Sequence, residues 1–358
     1  MTPQRVILLL VAGVLVIAGS LWVSAQRHLE RATLAGDPVL ANLEKSLNDI
    51  TEVHLSKGDG TRTTLKKGAT EWMVAERSYP ADSGRVRKLL LDLAGLKVVE
   101  EKTRNPEFYA QLGVEDANSP KASSTLVELV TPAKTYAVLI GKPGEGENGF
   151  VRVAHAEASL LAHPLITVDA DPRHWLDRTT VDIADNRIKE ATIEPGTGPS
   201  YTATREAAQQ DFKVTPIPKG RELSSSSAAS ELGSAFSSLQ ADDVRRAPAA
   251  PAAGAAGAAG AAGAKPDHAV FRTFNGLELD VTGFVEGEHH FIALVARSTA
   301  KDSQAEAASI NQRLQGWQFE IPSYKYQPMF RPLEELLKKL EPPKSKATKA
   351  GAEKKGAQ

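Results

Sequence analysis

Residues 71–96 read EWMVAERSYPADSGRVRKLLLDLAGL, and the apolar period changes partway through them. In Glu71 to Ala75, Trp72 and Val74 fall on one face by strict alternation, the mark of a half-buried strand. After Pro80, Ala81 and Asp82, the residues Val86, Leu89, Leu90, Leu93 and Leu96 recur at steps of three and four, which is one stripe of an amphipathic helix. Strand chemistry followed by helix chemistry without a βαβ rhythm predicts an α+β domain.

Working outward, strands are predicted at 50–55 and 61–65 before this stretch and at 124–130 and 134–140 after it. Pro132-Ala133 forms a tight connection between the last two. The same order recurs downstream. Strands are predicted at 188–193, 201–205 and 212–215, with Phe212 and Val214 standing where Trp72 and Val74 stood. A Ser-rich helix at 228–239 carries Leu232, Phe236 and Leu239 on one side, and strands follow at 269–273, 278–284 and 289–296. Two copies of a ββ(β)αββ module are expected, at 46–186 and 187–340, each an antiparallel sheet covered by a helix.

Ahead of the modules, Val6 to Val23, VILLLVAGVLVIAGSLWV, is a run of 18 residues without a charge. As a helix at about 1.5 Å per residue it extends roughly 27 Å, close to the thickness of a bilayer core. Residues 1–25 therefore read as a transmembrane anchor or, given Val23, Ser24 and Ala25, as a cleavable signal segment. Core length favours the anchor, and Arg5 with the terminal amine favours a cytoplasmic N-terminus, against Arg27 and Arg31 beyond the span. Residues 26–45 then form a juxtamembrane connector, and the soluble body is expected in the periplasm or outside the cell. The chain has no cysteine, so neither a disulfide nor a lipidated cysteine is available.

Two segments offer nothing to bury. Residues 247–265 are an Ala/Gly/Pro-rich stretch in which GAA recurs, and 341–358 form a tail with five lysines; both are expected to be disordered. A net charge of -1 across 358 residues supplies no basic field for nucleic acid, and none is expected as a partner.

No residue pattern compels a catalytic, metal or cofactor site. Gly144, Gly146 and Gly149 have the dinucleotide spacing, but a strand and not a helix follows, and Glu145 and Glu147 oppose a pyrophosphate. Asp169, Asp171, His174, Asp177, Asp182 and Asp185 crowd one region without Ca²⁺-loop spacing. Asp171-Pro172 reads instead as a helix cap, with Trp175 and Leu176 going to the core. Of Glu286, Glu288, His289 and His290, only Glu288 and His290 share a strand face. Neither HExxH nor GxSxG occurs. A spatial pair among the 44 acidic residues remains open, and with it a secreted or anchored hydrolase of an envelope polymer. A ligand-binding module with an apolar pocket is a further reading.

The runs Asn105-Pro106-Glu107-Phe108-Tyr109, Leu112-Gly113-Val114-Glu115-Asp116, Ile140-Gly141, Gly149-Phe150-Val151-Arg152 and Trp175-Leu176-Asp177-Arg178 resemble the family called domain of unknown function 4340. Phe150 stands where tyrosine is commoner and Val114 where leucine is. The resemblance implies a bacterial envelope protein anchored in the inner membrane by Val6 to Val23, with no established catalytic residue. Members are often encoded beside ABC-transporter subunits, so partners in the inner membrane or periplasm are expected, ABC-transporter subunits among them. Trp72, Leu112, Gly113, Trp175 and Leu176 are read as structural. The expectation is a non-catalytic accessory or scaffold subunit.

Overall fold

The computed structural model describes residues 36–248 and 265–339. The Val6 to Val23 run, the 341–358 tail and most of the Ala/Gly stretch lie outside them. Among the described residues, no helix is long and apolar enough to cross a membrane. The chain divides between Arg178 and Thr179 into two units, and the described fold is α+β with one antiparallel sheet in each and few helices.

The first unit contains β1 Glu52–Lys57, β2 Arg62–Lys67, β3 Trp72–Val74, β4 Tyr79–Pro80, helix α1 Ser83–Ala94, β5 Lys97–Thr103, β6 Thr125–Val130, β7 Thr135–Pro143, β8 Gly149–Val153 and β9 Ser159–His163. Its nine strands lie in the order β4-β3-β2-β1-β6-β7-β8-β9-β5. Alternation sets which face is covered: Val53 and Leu55 of β1 pair with Leu65 and Thr63 of β2 and with Leu129 and Val127 of β6, and all six are buried. A shift of one residue would turn this set to the opposite face, so the pattern fixes the register. The predicted hairpin is present, Thr131 closing it through N-H and Oγ1 bonds to the Lys134 carbonyl.

Helix α1 starts where Asp82 accepts a bond from the Arg85 N-H at 3.0 Å and ends at Gly95, whose N-H returns to the Leu91 carbonyl. Val86, Leu89, Leu90 and Leu93 form its buried face, each stabilising the unit by about 1.5–3 kcal/mol on apolar area alone.

The second unit contains β10 Ile188–Glu194, β11 Tyr201–Thr204, β12 Lys213–Thr215, β13 Asp243–Arg246, β14 Asp267–Thr273, β15 Leu277–Glu286, β16 His289–Ser298, helix α2 Gln304–Leu314, β17 Trp317–Glu320 and helix α3 Ser323–Met329. The strand order is β12-β11-β10-β14-β15-β16-β17-β13. With β4 set aside, this is the first sheet strand for strand, including a last edge strand (β5, β13) that precedes its four central neighbours in sequence. The repeat in the sequence is thus a repeat of topology, and it extends to β5, β9, β13 and β17, which the periodicity did not mark.

The expected helix at 228–239 is corrected. Only Ser230–Leu232 is helical there, as a single 3-10 turn. Leu232, Phe236 and Leu239 are buried as anticipated, but the backbone closes only three-residue turns, Ser234 Oγ bonds the local Glu231 carbonyl, and Ser237 Oγ and the Phe236 carbonyl bond across to Ile183. Such local competition disfavours a helix interior, and Ser238 takes a positive φ of 50°. The regular helix packed against β15 and β16 is α2, which buries Ala307, Ile310 and Leu314.

Candidate binding cleft

Four of the five signature runs meet around Arg152, and the fifth, Trp175 to Arg178, lies apart from it. Its side chain, 5% exposed, leaves β8 and donates from Nε to the Val114 carbonyl at 2.8 Å, from Nη1 to the Ala156 carbonyl at 3.0 Å and from Nη2 to Asp116 at 2.5 Å. The guanidinium also lies over the Tyr109 ring, 4.5 Å from its centre. Tyr109 donates its hydroxyl to the Glu157 carbonyl at 2.5 Å. Asn105 caps the turn Pro106–Phe108 by accepting from the Glu107 N-H, and Gly113 ends the helical turn Tyr109–Leu112 at φ 69°, the left-handed conformation that favours glycine. Gly141 lets this turn approach β7, because a Cβ there would lie 2.5 Å from the Leu112 carbonyl oxygen and 2.7 Å from Val114 Cγ1. Gly113 thus turns the chain and Gly141 admits it against β7, and this cluster is a clamp around a guanidinium.

The acidic run divides. Asp171 does cap the 3-10 turn Pro172–Trp175, and the hydrogen bonds from the Arg173 guanidinium hold its carboxyl below the usual range. Asp169 binds His174 Nδ1 at 3.1 Å and accepts the Trp175 indole N-H on its carbonyl at 2.7 Å. Asp182 and Asp185 belong to the second unit and serve other elements: Asp182 accepts from the Ser238 N-H, and Asp185 pairs with Arg205. Trp175 and Leu176 are buried, Leu176 bridging to Ala81 beside β4.

Of the other candidates, Gly144 and Gly146 lie in the β7–β8 hairpin loop, closed by Gly144 N-H to Asn148 O, and Gly149 opens β8. Glu286 receives a two-pronged bond from Arg245, His289 binds Glu320 and His290 packs on Tyr326. Among the described residues, no group of three or more His, Asp or Glu side chains is arranged to hold a metal ion.

What the structure adds is a cleft of about 300 Å³ in the first unit, between α1 and the segment after β9. Leu89, Leu165, Ile166 and Trp175 supply apolar surface, and Arg85, Lys88, Asp92, Asp169 and His174 supply the rim. Lys88 reaches Asp92 one turn along α1 at 2.6 Å, and Arg85 Nη1 donates to the His174 carbonyl at 2.6 Å. An apolar side chain fits the floor, and the rim charges form pairs at solvent that a ligand's own charges can exchange with. The sequence carried a trace of this wall: Arg85, Lys88 and Asp92 sit at helical spacing beside Leu89. Leu165 and Ile166 gave no comparable signal, since their segment has no period.

A family model described as a domain of unknown function, DUF4340, matches residues 72–257. The chain belongs to this family. The match begins on β3 and takes in the Arg152 clamp and both walls of the cleft, so the DUF4340 region holds this candidate site whole. It continues through the second unit's β10 to β13 and stops before β14. Comparisons with curated proteins and with solved structures gave no match.

Proposed function

We propose that this DUF4340 chain is a non-catalytic accessory or scaffold subunit of an envelope assembly. It is held in the inner membrane as a single-pass protein by Val6 to Val23, with its two units on the periplasmic side. The observation that carries this reading is the pairing of an uncharged run of 18 residues with two copies of one sheet topology. A tether of that kind confines the units beside membrane partners and raises their effective concentration without new contacts. The resemblance stated above suggests the partner class, the subunits of an ABC-type transport complex. The clefted, ion-paired surfaces support recognition of protein segments.

The test is crosslinking of the membrane-inserted protein, followed by mass spectrometry of the captured species. Recovery of a transporter permease or another envelope subunit is the expected result. Recovery of the chain alone, or a protein that washes off membranes with its N-terminal 25 residues intact, overturns the proposal.

A further inference from the structure

The second unit carries a cleft of about 380 Å³, built by the connections that correspond in the strand order to those of the first cleft. In the first unit one wall is α1, inserted between the third strand and edge strand β5, and the other is the segment that follows β9. In the second unit one wall is Glu231 to Ala235, inserted between β12 and edge strand β13, and the other is α3 with the residues after it, following β17. The residues that build the two clefts share no motif, and the walls differ in secondary structure. A concavity nevertheless lies between the corresponding connections of each unit, with two cations and an aromatic residue in its lining.

That chemistry is specific. Each cleft is lined by two permanent cations and an aromatic residue: Arg85 and Lys88 with Trp175, which is buried in the floor, in the first, and Lys325 and Arg331 with the exposed Tyr324 in the second. In each, one cation is held by a carboxylate of the same wall pair, Asp92 on Lys88 and Glu231 on Arg331, while Arg85 pairs with Asp82 outside the cleft and Lys325 donates to the Ser237 carbonyl. Lys88 is 75% exposed against 30% for Asp92, so the cation is the group an approaching ligand meets. Tyr324 is 68% exposed, a large apolar surface held at the second mouth. Solvent-exposed ion pairs contribute little, so a ligand carboxylate displaces the internal one at little cost while an apolar neighbour packs on the floor of the first cleft or on the Tyr324 ring of the second.

We infer that the two clefts are paired binding sites for one class of ligand, an extended peptide segment carrying a carboxylate side chain next to a large apolar one. The chain thus takes two such segments at once. This rests on the partner-binding reading above and names its chemistry.

The test uses the full chain in detergent micelles and a displayed library of random heptapeptides as the probe, with enriched peptides then titrated by calorimetry. Enriched sequences are expected to hold Asp or Glu beside Leu, Phe or Trp, and to bind two per chain. Lys88→Glu and Tyr324→Ala, both exposed changes, are each expected to leave one site. Asp92→Asn is expected to tighten the first site about threefold, because it removes the competing carboxylate; a purely structural role for Asp92 gives no tightening. Thermal melts check that the variants fold, with Lys88→Met in reserve for the first cleft. No enrichment, enriched peptides without an acid, or binding unmoved by Lys88→Glu and Tyr324→Ala overturns the inference. Capture of an envelope subunit by the Lys88→Glu/Tyr324→Ala double variant at the wild-type level keeps the accessory reading and removes the clefts. Two-site peptide binding without any captured subunit does the reverse.

Discussion

The two units share a strand order and little else. In the first, the insertion between the third strand and the edge strand is the capped, regular helix α1; in the second, it is a serine-rich run with one 3-10 turn. The link from edge strand β5 to β6 holds the signature clamp, whereas the corresponding link from β13 to β14 contains the Ala/Gly stretch. Conversely, a helix, α2, stands between β16 and β17, where the first unit has only a short turn between β8 and β9. The sheet is thus the invariant part of the module. Its alternating faces and cross-strand pairs specify the pairing by themselves, and the elements laid against it can be exchanged so long as they supply buried apolar side chains.

Buried arginines sharpen this contrast, since each unit has one that is 5% exposed, Arg152 and Arg205. Arg205 donates to the carbonyls of Ile188 and Asp185 and to the Asp185 carboxylate, and lies over Phe212. The two arise on non-equivalent strands, from β8 and from the end of β11, so the same solution to tying down a connecting loop is reached twice at different places in the sheet.

The largest effect expected is at Gly141. Gly141→Val forces the Leu112–Val114 turn off β7, and a loss of about 3 kcal/mol or more follows from overpacking against backbone. Hydrogen exchange should show it confined to the first unit; equal loss of protection in both units would mean that the clamp is not a local device of the first. Next come Arg152→Met and Arg205→Met. Asp116 and Asp185 are 62% and 53% exposed, so the ion pairs contribute little, and the cost of about 2–3 kcal/mol comes from leaving one buried carbonyl unbonded in each, Val114 or Ile188, together with the lost guanidinium contacts. Each variant should lower protection in its own unit, and a cost below about 0.5 kcal/mol in either would show that water replaces the guanidinium there.

The smallest effect concerns pH and the second unit. Hydrogen bonds from Arg187 lower the Glu306 carboxyl below its ordinary value of 4.5. Because the folded value lies under the unfolded one, the pair's contribution is complete above about pH 4.5 and is lost as pH falls through the folded value. Both side chains are about one-third exposed, which limits the contribution to under about 1 kcal/mol. Glu306→Gln should lower the melting temperature of the second unit slightly at pH 7, and the gap to the wild type should close as the solution is acidified. A gap that is unchanged at pH 3 would assign the effect to packing.

Much of the architecture could be read without coordinates. The switch of period in 71–96, the Asp171-Pro172 cap, the hairpin at Pro132-Ala133 and the recurrence of Trp72 and Val74 as Phe212 and Val214 all rest on contacts within a few residues, or on one face meeting a common core. The strands that close each sheet escaped notice for a definable reason. The sequence of β5, KVVEEKT, has no clean alternation and is broken by register shifts against β9, and β17 is only four residues long. The 228–239 helix failed because apolar spacing there reports burial, while the serines decide the backbone.

The candidate sites were the least legible part. Histidines and aspartates drew attention through density, yet those in 169–185 divide between two units, and the clefts form where an insertion meets the segment that leaves the penultimate strand of each sheet. By itself, the sequence determined the α+β class, the doubling of the module, the uncharged run Val6 to Val23 and the family, because periodicity, hydropathy and local turn chemistry are written residue by residue. Only the tertiary structure decided that the doubling extends to every shared strand, that Arg152 gathers four of the signature runs and that each module opens a cleft between corresponding connections. Those features depend on pairings and close approaches between residues tens of positions apart, and no local pattern encodes them.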